Sequence, residues 1–174
     1  LHDALPICLS NLIKATGTPC SPSTVMEYVR YLQESCLLIS IDNYASKFVE
    51  KETIKKHYFV DNGLLHLFIN NPNTSLLENL CAITLYKKYS KGLYYYNRNI
   101  EVDFYVPDEG LAVQASYQMS DEETIEREVK ALVTLHGLYP LKRAMIITYE
   151  DEGEIVRDGL KIEIRPAWKW VLEG

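Results

Sequence analysis

The segment Asn99-Ile100-Glu101-Val102-Asp103-Phe104-Tyr105-Val106, followed after one turn by Leu111-Ala112-Val113-Gln114-Ala115-Ser116, constrains this chain more than any other stretch. Both runs alternate apolar with polar residues at period two, the pattern of half-buried strands, and Pro107-Asp108-Glu109-Gly110 between them is turn chemistry. A β-hairpin is predicted. Successive strand side chains point to opposite faces, so Glu101, Asp103 and Tyr105 are expected together on one face of the first strand, and Gln114 and Ser116 together on the second. Acid and amide are then offered to one surface.

Upstream, Leu9 to Ala15 is a short apolar segment stopped at Gly17, and a second helix begins where Ser21 can cap and Pro22 suits the first helical position. Val25, Val29, Leu32 and Cys36 fall on one face of it. Leu37 to Ile41 reads as a strand, Asp42 to Lys51 as a loop or wing tip, and Lys56 to Val60 as a returning strand. Two helices and a hairpin suggest a winged helix-turn-helix over residues 8–70. Its second helix would expose Ser23, Thr24, Glu27, Arg30, Tyr31 and Glu34. One base against two acids suits a module that packs on neighbouring domains better than one that reads DNA. Arg30, Lys55 and Lys56 are the candidates for nucleic-acid contact.

Asp61-Asn62-Gly63 signals a turn or helix entry, with a short helix over Leu64 to Ile69. The polar run Asn70-Asn71-Pro72-Asn73 is the predicted domain boundary. The second unit, 71–174, opens with a helix over Ser75 to Tyr89 that is apolar around much of its circumference and carries Glu78. A strand over Gly92 to Arg98 precedes the hairpin. Ser120-Asp121-Glu122-Glu123 starts a helix reaching about His136, with Ile125, Val129, Leu132 and Val133 as its buried stripe and Lys130 beside it. Arg143 to Tyr149 and Leu160 to Arg165 read as strands, Glu150 to Gly159 as an acidic connector, and Trp168 to Leu172 as a terminal helical turn. Periodicity alone yields an α+β or α/β protein.

At 174 residues and 47% hydrophobic, the chain can bury a substantial core. No apolar run approaches the roughly 20 residues of a membrane helix and no signal peptide is visible, so the expected location is the cytoplasm, with no membrane partner. Cys8, Cys20, Cys36 and Cys81 have no C-x-x-C spacing and are expected as buried thiols. His57, His66 and His136 fit no ligand spacing. The net charge is −6. Residues 8–70 carry six basic and six acidic side chains, and 71–174 twelve against seventeen, a balance that disfavours an independent grip on phosphates. Leu1 to Ile7 is read as an adapter-derived artefact at the head of a truncated frame. No G-x-x-x-x-G-K-[ST] loop occurs, so ATP cannot bind here by that route.

Tyr58-Phe59-Val60-Asp61-Asn62-Gly63-Leu64, Leu76-Leu77-Glu78-Asn79 and Glu101-Val102-Asp103-Phe104, in that order, resemble the DUF4143 region, the C-terminal part of a prokaryotic AAA-type ATPase. The resemblance runs from about Leu9 to the end. It implies a winged helix followed by a PD-(D/E)xK nuclease-like domain of αβββαβ order, with an ATPase domain in cis as partner. In that nuclease pattern an Asp on one strand and an acid-x-Lys on the next hold a divalent metal. Here Gln114 and Ser116 stand where the acid and Lys are wanted. A Gln carbonyl can ligate Mg²⁺ but brings no charge, and Ser116 supplies no cation for a phosphoryl transition state.

The resemblance therefore implies a degenerate site: Asp103, Gln114, Ser116 and Lys130 as vestiges of catalysis, and Glu78, Asp103 and Gln114 as the set that would hold Mg²⁺. Lys130 enters because some nucleases of this fold supply their Lys from the helix. The expected function is the non-catalytic C-terminal region of an AAA-type ATP-binding protein, with no cofactor of its own and ATP held only by the missing domain. Two alternatives stand beside it: an active Mg²⁺-dependent nuclease with a relocated lysine, and a winged-helix DNA-binding regulator.

Overall fold

The computed structural model describes residues 21–46, 55–67 and 73–173. The expected helix over Leu9 to Ala15, Cys8, Cys20, residues 47–51 of the wing tip and the first three residues of the Asn70-Asn73 boundary lie outside them. The described residues form a mixed α+β fold. Helix α1 (Pro22–Glu34) is followed by β1 (Leu38–Asn43), β2 (Lys55–Phe59), α2 (Asn62–His66) and α3 (Asn73–Tyr89). Next come β3 (Tyr94–Asn97), β4 (Glu101–Val106), β5 (Leu111–Ala115), α4 (Glu122–Leu138), β6 (Arg143–Thr148), β7 (Gly153–Arg157), β8 (Leu160–Pro166) and α5 (Ala167–Glu173). None of these helices is long and apolar enough to cross a membrane.

Local chemistry sets the helix starts. The Ser21 side chain accepts a hydrogen bond from the Thr24 amide, with proline entering the first turn, and Asp121 does the same for Thr124 at 2.7 Å, so Asp121 and not Ser120 caps α4. The predicted stripe on α1 is only partly buried: Val25 is enclosed, while Leu32 and Cys36 are exposed. Cys36 lies beyond the helix end at φ 57°, so the expectation of a buried thiol fails there and holds at Cys81. Helix α3 buries Leu77, Asn79, Cys81, Ala82 and Leu85.

The strands make one eight-stranded sheet in the order β2-β1-β3-β4-β5-β6-β8-β7. β1 pairs parallel with β3 through Asp42↔Tyr94 and Asn43↔Tyr95, so the hairpin on one side of the expected boundary and the strands beyond it share a sheet. They share a core as well. Ile39, Ile41 and Tyr58 pack with Leu77, Cys81, Leu85, Phe104 and Val113 on the α3 side. The other side, under α4, is filled by Tyr96, Val102, Tyr105, Ala112, Val129, Leu132, Ile146 and Ile162.

The hairpin predicted over 99–116 is present, with Phe104↔Val113, Tyr105↔Ala112 and Val106↔Leu111 in antiparallel register. Its turn closes by Gly110 N–H to Pro107 O at 3.0 Å, with Gly110 at φ 59°. A Cβ there would stand 3.1 Å from the Lys142 backbone nitrogen, so glycine meets both the conformation and the space. The stretch expected as an acidic connector contains β7, which pairs antiparallel with β8 through a two-residue turn, Asp158-Gly159, both at positive φ. An Asp-Gly pair is the composition such a hairpin turn requires.

One irregularity sets the site. On β3, Tyr94 and Tyr96 are two residues apart, yet their partners on β4, Tyr105 and Val102, are three apart. β4 therefore carries one extra residue, a β-bulge. Val102 and Tyr105 both belong to the α4-side core, while Phe104 belongs to the α3 side. The expected grouping of Glu101, Asp103 and Tyr105 is corrected accordingly: the bulge sends the two acids toward α3 and Tyr105 to the opposite face.

Candidate functional site

Lys56, on β2, is the centre of the arrangement on the α3 side. Its ammonium lies 2.8 Å from Glu101 Oε1, 3.0 Å from Asp103 Oδ1 and 3.3 Å from Glu78 Oε1, with side chains of all four largely buried. The Tyr95 ring lies 5.6 Å from the same nitrogen. Glu78 Oε1 also accepts the Tyr58 hydroxyl at 2.8 Å. Next to Glu78 on α3, Asn79 accepts from Phe59 N and donates to Phe59 O and to Asn62 Oδ1, which pins the end of β2 to α3. The three separated stretches 58–64, 76–79 and 101–104 thus meet at one place.

Burial by itself lowers the Lys56 value, but Asp103, Tyr58, Glu78 and Glu101 outweigh it and hold the ammonium well above its ordinary value of 10.5. Glu78 is raised first by burial and then by the charge of Asp103, with Lys56 opposing. The Tyr58 hydroxyl is raised by burial and by Glu78. Lys56 was expected as a wing contact to nucleic acid. Three carboxylates enclose it instead, so it is not free to meet a phosphate.

On the neighbouring strand the pairing ends at Phe104↔Val113. Beyond it the side chain of Gln114 replaces the ladder: its Oε1 accepts from Asp103 N at 2.8 Å and its Nε2 donates to Glu101 O at 3.1 Å. The Ala115 amide donates to Asp103 Oδ2 at 3.0 Å. Ser116, buried, donates its hydroxyl to Gln118 O. By the pleat, Gln114 sides with Ala112 toward α4, whereas Asp103 turns toward α3. Acid and amide are adjacent through backbone, not side by side on one surface.

A cavity of about 650 Å³ opens where β4 and β5 part, between the start of α3 and the flank of α4, and Glu78, Asp103, Gln114, Ser116, Glu128 and Lys130 are among its lining. Lys130 is exposed at its edge and makes no ion pair or hydrogen bond with Glu78, Asp103 or Gln114. Glu128 is the lining residue that sequence reasoning missed. It is buried and takes two hydrogen bonds from Arg127, at 3.1 and 2.6 Å. The signal was available: Glu128 sits three residues after Ile125 and four before Leu132, an acid on an apolar stripe.

The fit to Mg²⁺ is poor as built. Gln114 has committed its carbonyl to a backbone N–H, Lys56 fills the space among the carboxylates, and among the described residues no group of three or more His, Cys, Asp or Glu side chains is arranged to hold a metal. The remaining candidates for nucleic-acid contact are also engaged. Arg30 lies 3.8 Å from Glu34 and stacks over Tyr31, and Lys55 lies 3.2 Å from Asp42.

Fold and site together define a mixed α+β protein with a charged cluster buried at the edge of a sheet cavity. No family model matches the chain, and no solved structure matches it. It is 31% identical, over 179 aligned positions, to the uncharacterized protein MJ1544 of Methanocaldococcus jannaschii. The alignment takes in 94% of this chain and 40% of that relative, so the chain spans well under half of its relative's length.

Proposed function

We propose that this chain is the C-terminal, non-catalytic region of an AAA-type ATP-binding protein: a winged helix joined to a PD-(D/E)xK nuclease-like domain whose pocket serves interaction and not cleavage. The observation that carries this reading is the fate of β5. Gln114 spends both ends of its amide on the β4 backbone and Ser116 spends its hydroxyl on Gln118, so the strand that should bring a second negative ligand and an ammonium brings neither. The meeting of the three stretches that resemble DUF4143 supports the family, as does the element order helix, three strands, helix, strand around the cavity. ATP is then the business of an ATPase domain elsewhere in the longer protein, for which the length of the relative leaves room.

The test is incubation of the chain with single- and double-stranded DNA in Mg²⁺ and in Mn²⁺, beside Asp103→Ala. Equal absence of cleavage in both proteins is expected. Cutting that Asp103→Ala abolishes would replace this reading by the active nuclease.

A further inference from the structure

The misfit between this cluster and a metal has a physical cause. An ammonium has three N–H donors, and at Lys56 three carboxylate oxygens, from two different elements, stand at 2.8, 3.0 and 3.3 Å. Donors and acceptors match in number. The lysine comes from β2, the outermost strand on its side of the sheet, whereas Glu78 belongs to α3 and Glu101 and Asp103 to β4. We propose that Lys56 is a tethered cation: reaching from the β1–β2 hairpin into this cluster, it latches the hairpin onto the core and closes three carboxylates to divalent cations.

Two further features fit a latch. The route from β2 to β4 crosses β1 and β3, and the regular pairing between the hairpin and β3 among the described residues is two residue pairs long, extended by the Asn43 amide on the Asn97 backbone, so Lys56 adds a bridge that spans two intervening strands. Tyr58 donates to the same Glu78 oxygen, and Asn79 adds neutral bonds to the Phe59 backbone, so β2 is held to α3 at Lys56, Tyr58 and Phe59 alike. Withdrawal of Lys56 would leave carboxylate oxygens from Glu78, Glu101 and Asp103 facing each other, and hard divalent cations are the ligands such oxygens take. The latch rests on reading the pocket as nuclease-like without working chemistry, but its test does not involve cleavage, so the two fail separately.

The experiment compares the full chain with Lys56→Met and Lys56→Arg by thermal unfolding and Mn²⁺ titration, using electron paramagnetic resonance to count bound metal. The wild-type melting temperature is expected to stay put as MnCl₂ is added. Lys56→Met is expected to melt at least about 6 °C lower, to recover on addition of MnCl₂, and to bind Mn²⁺ at least about tenfold more tightly than wild type. Lys56→Arg keeps a cation and is expected to ignore Mn²⁺. Should Lys56→Met fail to fold, the latch requires that Mn²⁺ restore folding. A Lys56→Met protein that does not respond to Mn²⁺, folded or not, or a wild type that binds it equally well, overturns the proposal.

Discussion

Lys56 and His57 are consecutive bases on β2, facing opposite sides of one strand, and the structure treats them in opposite ways. Lys56 is ringed by acids and kept charged far above its ordinary range. His57, whose Nδ1 lies 2.6 Å from Ser40 Oγ, is pushed by burial and by the charge of Lys55 from 6.5 down to about 4, so it is neutral at physiological pH. The same strand supplies one permanent cation and one neutral imidazole. A basic residue in a hairpin is therefore not by its type a contact for nucleic acid; what stands opposite it decides.

The comparison can be broken at several points, and the largest effect is expected on the charged face. Lys56→Met should cost about 3–5 kcal/mol in urea unfolding at neutral pH, because it strands buried carboxylates. A loss under about 1 kcal/mol would mean that the cluster is wet and loosely held. Its contribution is fully present below the ordinary lysine value and lost only as pH rises through the higher folded value, so acidification to pH 6 should leave it intact.

The neutral face should respond to acid instead. Because the folded value of His57, about 4, lies below the ordinary 6.5, its contribution is present above 6.5 and is lost as pH falls toward 4, by up to about 3 kcal/mol. Urea midpoints across that window, with a His57→Gln variant, would measure it, and a variant as acid-sensitive as wild type would assign the effect to another group. Ser40→Ala should cost about 1 kcal/mol, since it removes an oxygen that both Gln33 and His57 use. Lys55→Ala is expected near neutrality, within about 0.5 kcal/mol, because its pair with Asp42 is partly exposed. Mobility-shift assays should show no DNA retention at about 150 mM salt for either protein; retention lost with Lys55 would favour the DNA-binding alternative.

Much of the fold could be read from local pattern. Ser21 and Asp121 cap helices that were predicted there or one residue away, and the period-two runs around Pro107-Gly110 form the expected hairpin. What escaped depends on partners distant in sequence. Lys56 and Asp103 are 47 positions apart, and nothing near Lys56 marks it as belonging to a carboxylate cluster. The alternation of Glu101 to Val106 looks unbroken by itself; the bulge becomes visible only when β4 is counted against β3. β7 was hidden because Glu154 and Arg157 on an edge strand read as a solvated loop, although Asp158-Gly159 announced the turn. At the site, Glu78 and Asp103 were foreseen as neighbours, whereas Lys130 was preferred to the lysine that occupies the place.

The surplus residue in β4 also makes the character of each sheet face a matter of chain length. Removing one position between Val102 and Tyr105 would leave those two side chains on the face they already share, now two apart in an unbroken pleat, and would take from the α3 side one of its two consecutive residues, Asp103 or Phe104. The extra position is what lets one strand offer an acid and a core aromatic in succession to the same side. A relative lacking that position would keep Glu101 beside the lysine and forfeit either the second carboxylate of this strand or the ring that packs on Tyr58.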